Sequence, residues 1–384
     1  MNHKNKKVIC FLSSMHTYDD KRVFEKEAKS LSNNGFKVIH VAPGDGTDFI
    51  YKNIEIRTFK NEGSTIFKRL IGLKHLYKFA KSANADVYHC NEIDSWIIGL
   101  LLKLNQKSKC IFDVHEHYPE EFAEVRFHKS FHFLVIAVIR LLIWTLSFYT
   151  DRIVIAKSSL KKSFKHLRDN KVVLVQNFSP IKSFDKTPKD DNINFLEKKF
   201  KIIHMGLFGI ARGWPELLNA MIISKNRNIE LTVLGSVNDG SEDDFLSFIK
   251  KNNLSNQVNY IKWLPIEEAL GIVKECHLGL VPFQPGYHNH VHALPHKLFD
   301  YMGSGIPVIV PDFAEEVCEI IKESQSGVMI DVSDPKEISK AINMFADDRK
   351  LTNQMGQNGK KAVFNKFNWE NEELSLVEMY SQII

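Results

Sequence analysis

The chain has 384 residues, 44% hydrophobic and 25% charged, which is ordinary for a soluble globular protein with packed cores and long enough for two domains. A formal net charge of +5 is too mild for a dedicated nucleic-acid binder and suits a phosphorylated ligand or an anionic lipid face. Cys10, Cys90, Cys110, Cys276 and Cys318 are scattered and odd in number, with no zinc or redox spacing, so they read as buried free thiols in a reducing cytoplasm.

Val8 to Leu12 is the first apolar run. It is too short for a signal-peptide core and reads as a strand. A polar loop, Ser13 to Asp20, follows it, and then Val23, Phe24, Ala28 and Leu31 recur at helical spacing until Gly35. Phe36 to Ala42 is the next strand. Strand, loop, helix, strand opens a doubly wound α/β domain, in which ligands bind at the carboxyl edge of the sheet. His16, Asp19, Asp20 and Arg22 lie in that first loop. Asp86–Cys90 and Cys110–Val114 are further strands, with an apolar helix, Trp96 to Leu104, between them.

The second of these strands runs straight into His115, Glu116, His117 and Tyr118. An imidazole at a strand's carboxyl end can bond a sugar hydroxyl or a phosphate oxygen, or carry a proton; a hydrogen-bonded core histidine fits the same position. A metal site fits poorly, because H-E-x-x-H spacing is missing and adjacent strand residues face opposite ways. Phe131 to Thr150 is the most apolar segment and long enough to cross a bilayer. Three placements compete for it. They are a buried or semi-buried helix of the first domain, a helix pressed into a membrane interface with Arg140 snorkelling, and a true span that would cut the domain in half. Lys68, Arg69, Lys74, Lys78 and Lys81 form a basic helical stretch that suits either solvent or anionic headgroups.

Asp151–Ala156 and Lys171–Val175 read as the last strands of the first domain, and Ser179 to Lys199, polar and without period, reads as a linker. Phe200 to His204 opens a second α/β unit. The glycine-containing turn from Met205 to Pro215 then leads into a helix over 216–223, a phosphate-friendly geometry without the closing G-K-[ST] of a P-loop. Strands are expected at Ile229–Leu234, Val258–Ile261, Leu278–Val281 and Gly327–Ile330, with helices at Ile338–Ala346 and from Trp369 to Ile384. Gln284 to Ala293 is a polar loop in which His288, His290 and His292 alternate; zinc fits it poorly, for want of a fourth ligand, and a loop that meets a polar ligand fits better.

The stretch HALPHKLFDYMGSGIPVIVP, His292 to Pro311, is the most informative. Pro295 suits a helix start, Leu298, Phe299 and Met302 form one apolar face, Gly303 and Gly305 end the helix, and Ile306–Val310 is a buried strand. The helix N-terminus and Lys297 offer positive charge to a pyrophosphate, and Asp300 offers an acceptor for ribose hydroxyls.

This stretch resembles the donor-binding motif of retaining GT-B glycosyltransferases, family 4 (group 1) type. That motif spaces two glutamates by seven residues ahead of a G-x-P-V-I strand. Here Asp300 stands at the second acidic place and His292 at the first, with Ala293 and Leu294 beside it. The turn after the second-domain strand is similar too: Gly206 is present, Leu207 holds the place of the family's arginine and Arg212 that of its lysine. Leu264 lies where the family lays the nucleotide base. DKRVFEKEAKSLSNNGFKV and FDVHEHYPE resemble the family's first domain, the latter pointing to His115. The resemblance implies an α/β chain of GT-B fold, two Rossmann-like domains facing across a cleft. The expected divisions are residues 1–178 on the acceptor side, a linker over 179–199, a donor-binding domain over 200–366, and a last helix, 367–384, crossing back. It implies transfer, with retained configuration, of a sugar from a nucleoside diphosphate-sugar, UDP by family frequency, to a hydroxyl of a growing, lipid-linked surface glycan. His115, Arg212 and Lys297 would be catalytic. Gly206, Arg212, Leu264, His292, Ala293, Leu294, Lys297 and Asp300 would hold the donor, and His16, Glu116, His117 and Tyr118 would lie on the acceptor side. No metal, cofactor or nucleic acid is expected. The location would be cytoplasmic, with peripheral contact at the inner membrane face. A GT-B nucleotide-sugar epimerase and a non-catalytic scaffold are the alternatives.

Overall fold

Short runs rich in Val and Ile, apolar on both faces, become parallel strands throughout the chain, as buried parallel sheets require. The computed structural model describes residues 6–60, 66–185, 199–224 and 228–384. The chain divides into two units, Met1–Asn177 with Asn371–Ile384, and Phe178–Glu370.

In the first unit the strands are β1 (Val8–Leu12), β2 (Lys37–Gly44), β3 (Asp48–Tyr51), β4 (Ile54–Lys60), β5 (Val87–Cys90), β6 (Lys109–Val114), β7 (Arg152–Ile155) and β8 (Val172–Leu174). They lie in the order β3-β4-β2-β1-β5-β6-β7-β8. Only the β3–β4 pair is antiparallel. The helices are α1 (Lys29–Asn33), α2 (Ile66–Ala83), α3 (Ile93–Gln106), α4 (Tyr118–Arg126) and α5 (His132–Tyr149). The helix expected after the first loop begins instead as a wide turn, Val23–Ala28, before α1. Glu25 and Glu27 N–H reach back five residues, to Asp20 and Arg22. The wide winding turns Arg22, Lys26 and Glu27 all inward, where they are buried. Cys10, Leu12, Tyr88 and Phe112 form the core against Trp96 of α3. Trp96 stacks on Phe112 at 3.8 Å and donates its indole N–H to Thr150 at 2.8 Å.

Of the burial expected for α5, full or partial, the structure shows the partial form. Its 18-residue apolar window is 11% buried. Ile139, Ile143 and Leu146 make one inner stripe on the core, while Phe133, Leu134, Val138, Leu141, Trp144, Phe148 and Tyr149 are exposed. Hydropathy measures how apolar a helix is and carries no information on how much of its circumference finds a partner.

The second unit contains α6 (Lys182–Asp185), β9 (Phe200–Leu207), α7 (Trp214–Ile223), β10 (Ile229–Ser236), α8 (Glu242–Lys251), β11 (Val258–Ile261), α9 (Ile266–Lys274), β12 (Leu278–Leu280), α10 (His288–Val291), α11 (His296–Gly303), β13 (Val308–Pro311), α12 (Glu315–Ser324), β14 (Gly327–Ile330), α13 (Pro335–Asp347) and α14 (Arg349–Asn365). α15 (Trp369–Ile383) begins here, and its residues from Asn371 belong to the first unit. The six parallel strands run β11-β10-β9-β12-β13-β14. Alternation along β9 sends Ile203 and Met205 into one core, with Leu298, Phe299 and Met302 of α11. It sends Phe200 and Ile202 into the other, with Trp214 and Leu217 of α7. The stretch expected as a linker starts differently: Phe184 of α6, like Phe178 just before the stretch, is buried in the second unit's core. Residues 186–198 of it lie outside the described residues. The His-rich stretch, expected as a loop, contains a helical turn, α10.

Candidate active site

Each sheet reverses its strand order once where the chain first doubles back, and such reversals open a crevice at the carboxyl edge. In the second unit the reversal lies between β9 and β12, so the loops that follow these two strands meet there. Gly206, at the end of β9, has φ +102°, a conformation costly for any residue with a Cβ. Gly213 has φ +76° and caps α7, and a Cβ on it would lie 2.3 Å from the Pro282 carbonyl oxygen. That close approach seats the Ile210–Arg212 turn against Pro282 and Phe283, just beyond β12. Arg212 lies over the Phe283 ring with its Cζ 4.5 Å from the centroid, and Lys297 Nζ lies 5.6 Å from the same centroid. His290 stacks on Phe283 at 4.8 Å and bonds the Gln284 carbonyl at 2.8 Å.

Lys297 is buried, and its Nζ lies 3.1 Å from Nε2 of His204. Burial first, then the neighbouring Arg212, depress its ammonium well below the usual lysine range. Burial and Lys297 likewise push His204 well down, so its imidazole is neutral. Arg212 and Lys297 converge on the Phe283 ring beside the N-terminus of α7, and an anion with two charged groups bound there would favour the charged form of both.

The other expected donor residues are placed less uniformly. Leu264, Ala293 and Leu294 are half-buried against the core cluster that contains Phe283 and Leu298. Asp300 is buried, and its Oδ1 accepts from the Ser179 hydroxyl at 2.7 Å. His292 turns toward Glu315, with Nδ1 3.5 Å from a carboxylate oxygen, and its ring lies 5.1 Å from that of His288. His290 points instead at Phe283. Leu207, half-exposed at the end of β9, offers no charge.

In the first unit the reversal lies between β1 and β5. Glu92, after β5, accepts from the backbone N–H of Ser14, Met15 and His16 at 2.9, 3.2 and 3.3 Å and also caps α3. It thereby shapes the loop that holds His16, whose ring lies 5.9 Å from that of His115. His115 Nε2 is 2.5 Å from Oδ2 of Asp113. Asp113 is buried and paired with Arg22 at 3.0 Å, and Arg22 pairs in turn with Glu27 at 2.9 Å. Burial would raise the Asp113 carboxyl, yet Arg22 and His115 hold it well below the usual range; burial and Asp113 push Glu27 well up. His89 completes the cluster, with Nδ1 2.6 Å from the Tyr380 hydroxyl.

Ligand atoms of Glu27, His89 and Asp113 lie within 4.8 Å of one another, the grouping among the described residues that comes nearest to a metal site. Arg22 already supplies a cation to both of its carboxylates, which leaves the donor set poorly suited to an ion. Glu116, His117 and Tyr118 do not join the His16–His115 pair. They line a separate cavity, with Glu116 bonded to Lys157 and His117 Nε2 3.1 Å from the Ser159 hydroxyl.

Sequence reasoning missed Glu92, Asp113, His204 and Phe283. A lone aspartate inside the apolar strand CIFDV was a signal for Asp113. Glu92 acts through loop amides, for which no side-chain pattern exists.

Residues 185–362 match the family described as Glycosyl transferases group 1. Over 205 residues, half of this chain and half of the relative, the sequence is 24% identical to the capsular polysaccharide biosynthesis glycosyltransferase CapM of Staphylococcus aureus. The aligned stretch spans about half the length of the curated relatives it matches. The fold is similar to that of the sucrose-phosphate synthase of Thermosynechococcus elongatus, with TM-score 0.74 and 16% identity over 98% of this chain and 99% of that one. It is also similar to that of Anabaena HepE, solved with UDP, with TM-score 0.73 and 13% identity over 98% and 100%.

Proposed function

We propose that this group 1 glycosyltransferase, of GT-B fold, moves a sugar from a nucleoside diphosphate-sugar to a hydroxyl of a growing, lipid-linked surface glycan, with the anomeric configuration retained in the manner of family 4. The observation that carries the reading is the pair of cations, Arg212 and Lys297, on the Phe283 ring at the sheet reversal of the second unit. A diphosphate placed there meets both cations and the amides of the α7 N-terminus, which also stabilise the charge that grows as the sugar departs. The chain thus supplies that positive charge from its own side chains, and the transfer runs without a metal. A neighbouring fold was solved with UDP, and a curated relative is named for capsular polysaccharide synthesis; both favour a UDP-sugar and a surface glycan.

In the step itself the bond between anomeric carbon and diphosphate oxygen breaks. The acceptor oxygen bonds that carbon, and the acceptor's proton passes to the departing diphosphate. His115, with its ring orientation set by Asp113, bonds a sugar hydroxyl. The acceptor's lipid places the enzyme at the inner membrane face, where the exposed side of α5 is the surface for peripheral contact. Incubating the protein with a panel of nucleotide sugars and the lipid-linked acceptor, with mass detection of product and free nucleotide, tests the reading. Arg212→Ala and Lys297→Ala are each expected to lose most transfer while remaining folded, and wild-type turnover in both overturns it.

A further inference from the structure

The cavity lined by Glu116, His117 and Tyr118 has a volume of about 520 Å³ and lies under α5. Its walls differ sharply in chemistry. Phe112, Ile143, Trp144 and Phe164 make an apolar interior, while Arg140 and Lys162 bring two cations to it and the Glu116 carboxylate, also in the lining, is paired with Lys157. Arg140 is itself exposed and bonded to Glu120, so its guanidinium sits at the edge rather than in the apolar interior. The volume is that of a small-molecule site.

The ground outside it is apolar as well. Phe133 is 86% exposed and Leu134 63% exposed. Ile97, Leu101 and Leu104, exposed at helical spacing on α3, extend the surface, since α3 packs beside α5. Basic residues border it: Arg126 and Lys129 precede α5 in the chain, and Lys103 donates to the Tyr149 carbonyl at 2.7 Å. An apolar helix face with aromatic residues and a basic border matches the headgroup region of an anionic bilayer.

We infer that this cavity takes the phosphate and the first carbons of the acceptor's own lipid, a long-chain polyprenyl phosphate, while α5 lies in the headgroup region. The inference rests on the lipid-linked acceptor proposed above. The cations Arg140 and Lys162 receive the phosphate, the aromatic and aliphatic wall receives the adjoining carbons, and the rest of the chain leaves along α5 into the bilayer. The charge pattern supports an anionic lipid, since an apolar pocket with cations at its edge complements a ligand that is anionic at one point and hydrocarbon beyond it, and among such lipids the acceptor proposed above selects polyprenyl phosphate.

Flotation with two kinds of phosphatidylcholine vesicle tests it, one carrying polyprenyl phosphate and one carrying phosphatidylglycerol at equal negative charge. Wild-type protein should bind the first about tenfold more tightly, a difference of about 1.4 kcal/mol. Ser163→Trp, which fills the cavity from an exposed lining position while leaving every charge in place, should abolish the preference and keep general binding. Phe133→Asp, on the outer face, should lose binding to both. Thermal melts of each variant report folding of the first unit, and nucleotide binding reports that of the other. The latter also separates the outcomes, because lost nucleotide binding in wild-type protein sinks the donor reading alone. Equal binding of wild-type protein to both vesicles overturns the inference. So does a preference that survives Ser163→Trp, or an α5 face that drives self-association with no vesicle binding.

Discussion

His115 and Asp113 sit two residues apart on one strand and its exit, with Nε2 2.5 Å from the carboxylate. Held ionised chiefly by Arg22, Asp113 meets the imidazole at Nε2 and fixes the orientation of the ring. Asp113→Asn should lower kcat on the order of 100-fold, the scale of a mispositioned proton-handling group. His115→Ala should cost about as much, and the double variant little more, because both changes remove one unit. Steady-state kinetics of the three variants checks this, and additive losses would refute it.

Lys297 buries an amine whose charging is opposed by burial and by Arg212. Lys297→Met keeps the volume and removes the buried polar group, so it should stabilise the ligand-free protein by about 1–3 kcal/mol. The same change should weaken UDP binding at least about tenfold. Thermal melts and calorimetric titration together read the trade, and a variant that is both less stable and equally tight-binding contradicts it.

The same residue predicts a proton count. Its ammonium is depressed in the free protein, and a bound diphosphate favours the charged form and raises it again. Between those two values binding takes up a proton, so affinity for UDP should fall as pH rises through the free value. Calorimetry over a pH series, in buffers of different ionisation enthalpy, should show a window of proton uptake in wild type and none in Lys297→Met.

Glu372 accepts from the Gln176 N–H at 2.7 Å, and burial raises its carboxyl from 4.5 to about 7. The folded chain therefore binds this proton more tightly than the unfolded one. Its contribution to stability is complete below pH 4.5 and declines until about pH 7. Glu372→Gln should flatten that part of the stability curve and gain about 3 kcal/mol at pH 8. Urea unfolding at acid and mildly alkaline pH checks the slope.

Gly213 is the tightest point of the donor-side turn. Gly213→Ala places a methyl 2.3 Å from a carbonyl oxygen at φ +76°, so it should cost about 1–3 kcal/mol. UDP affinity should fall with it, since Arg212 is the residue before. Unchanged melting and binding would contradict the role given to that turn.

The strands of both sheets were legible because a buried parallel strand leaves a continuous apolar run, as in VICFL and IELTVL. Lys297 stood out because it follows Pro295 at an expected helix start, and Arg212 because the resemblance puts it at the family's lysine place; the structure brings both to the Phe283 ring. The β3–β4 hairpin was passed over, although Ile54, Ile56 and Phe59 face inward and Lys52 and Asn53 have positive φ at the turn. The wide winding at Val23–Ala28 left no trace, since its apolar spacing satisfies an ordinary helix equally well. What α5 packs against was invisible for a different reason: a residue's own hydropathy says nothing of how many neighbours arrive to cover it.

All five cysteine thiols are buried. Cys10, Cys90 and Cys110 belong to the first unit, and Cys276 and Cys318 to the second. An alkylating reagent reaches each of them when the surrounding strands part, so the rate at which each residue acquires label is a clock for that half's opening. Peptide mass spectrometry of a single time course then gives two unfolding rates from one unmodified chain. Added nucleotide should slow the clock at Cys276 more than the clock at Cys10.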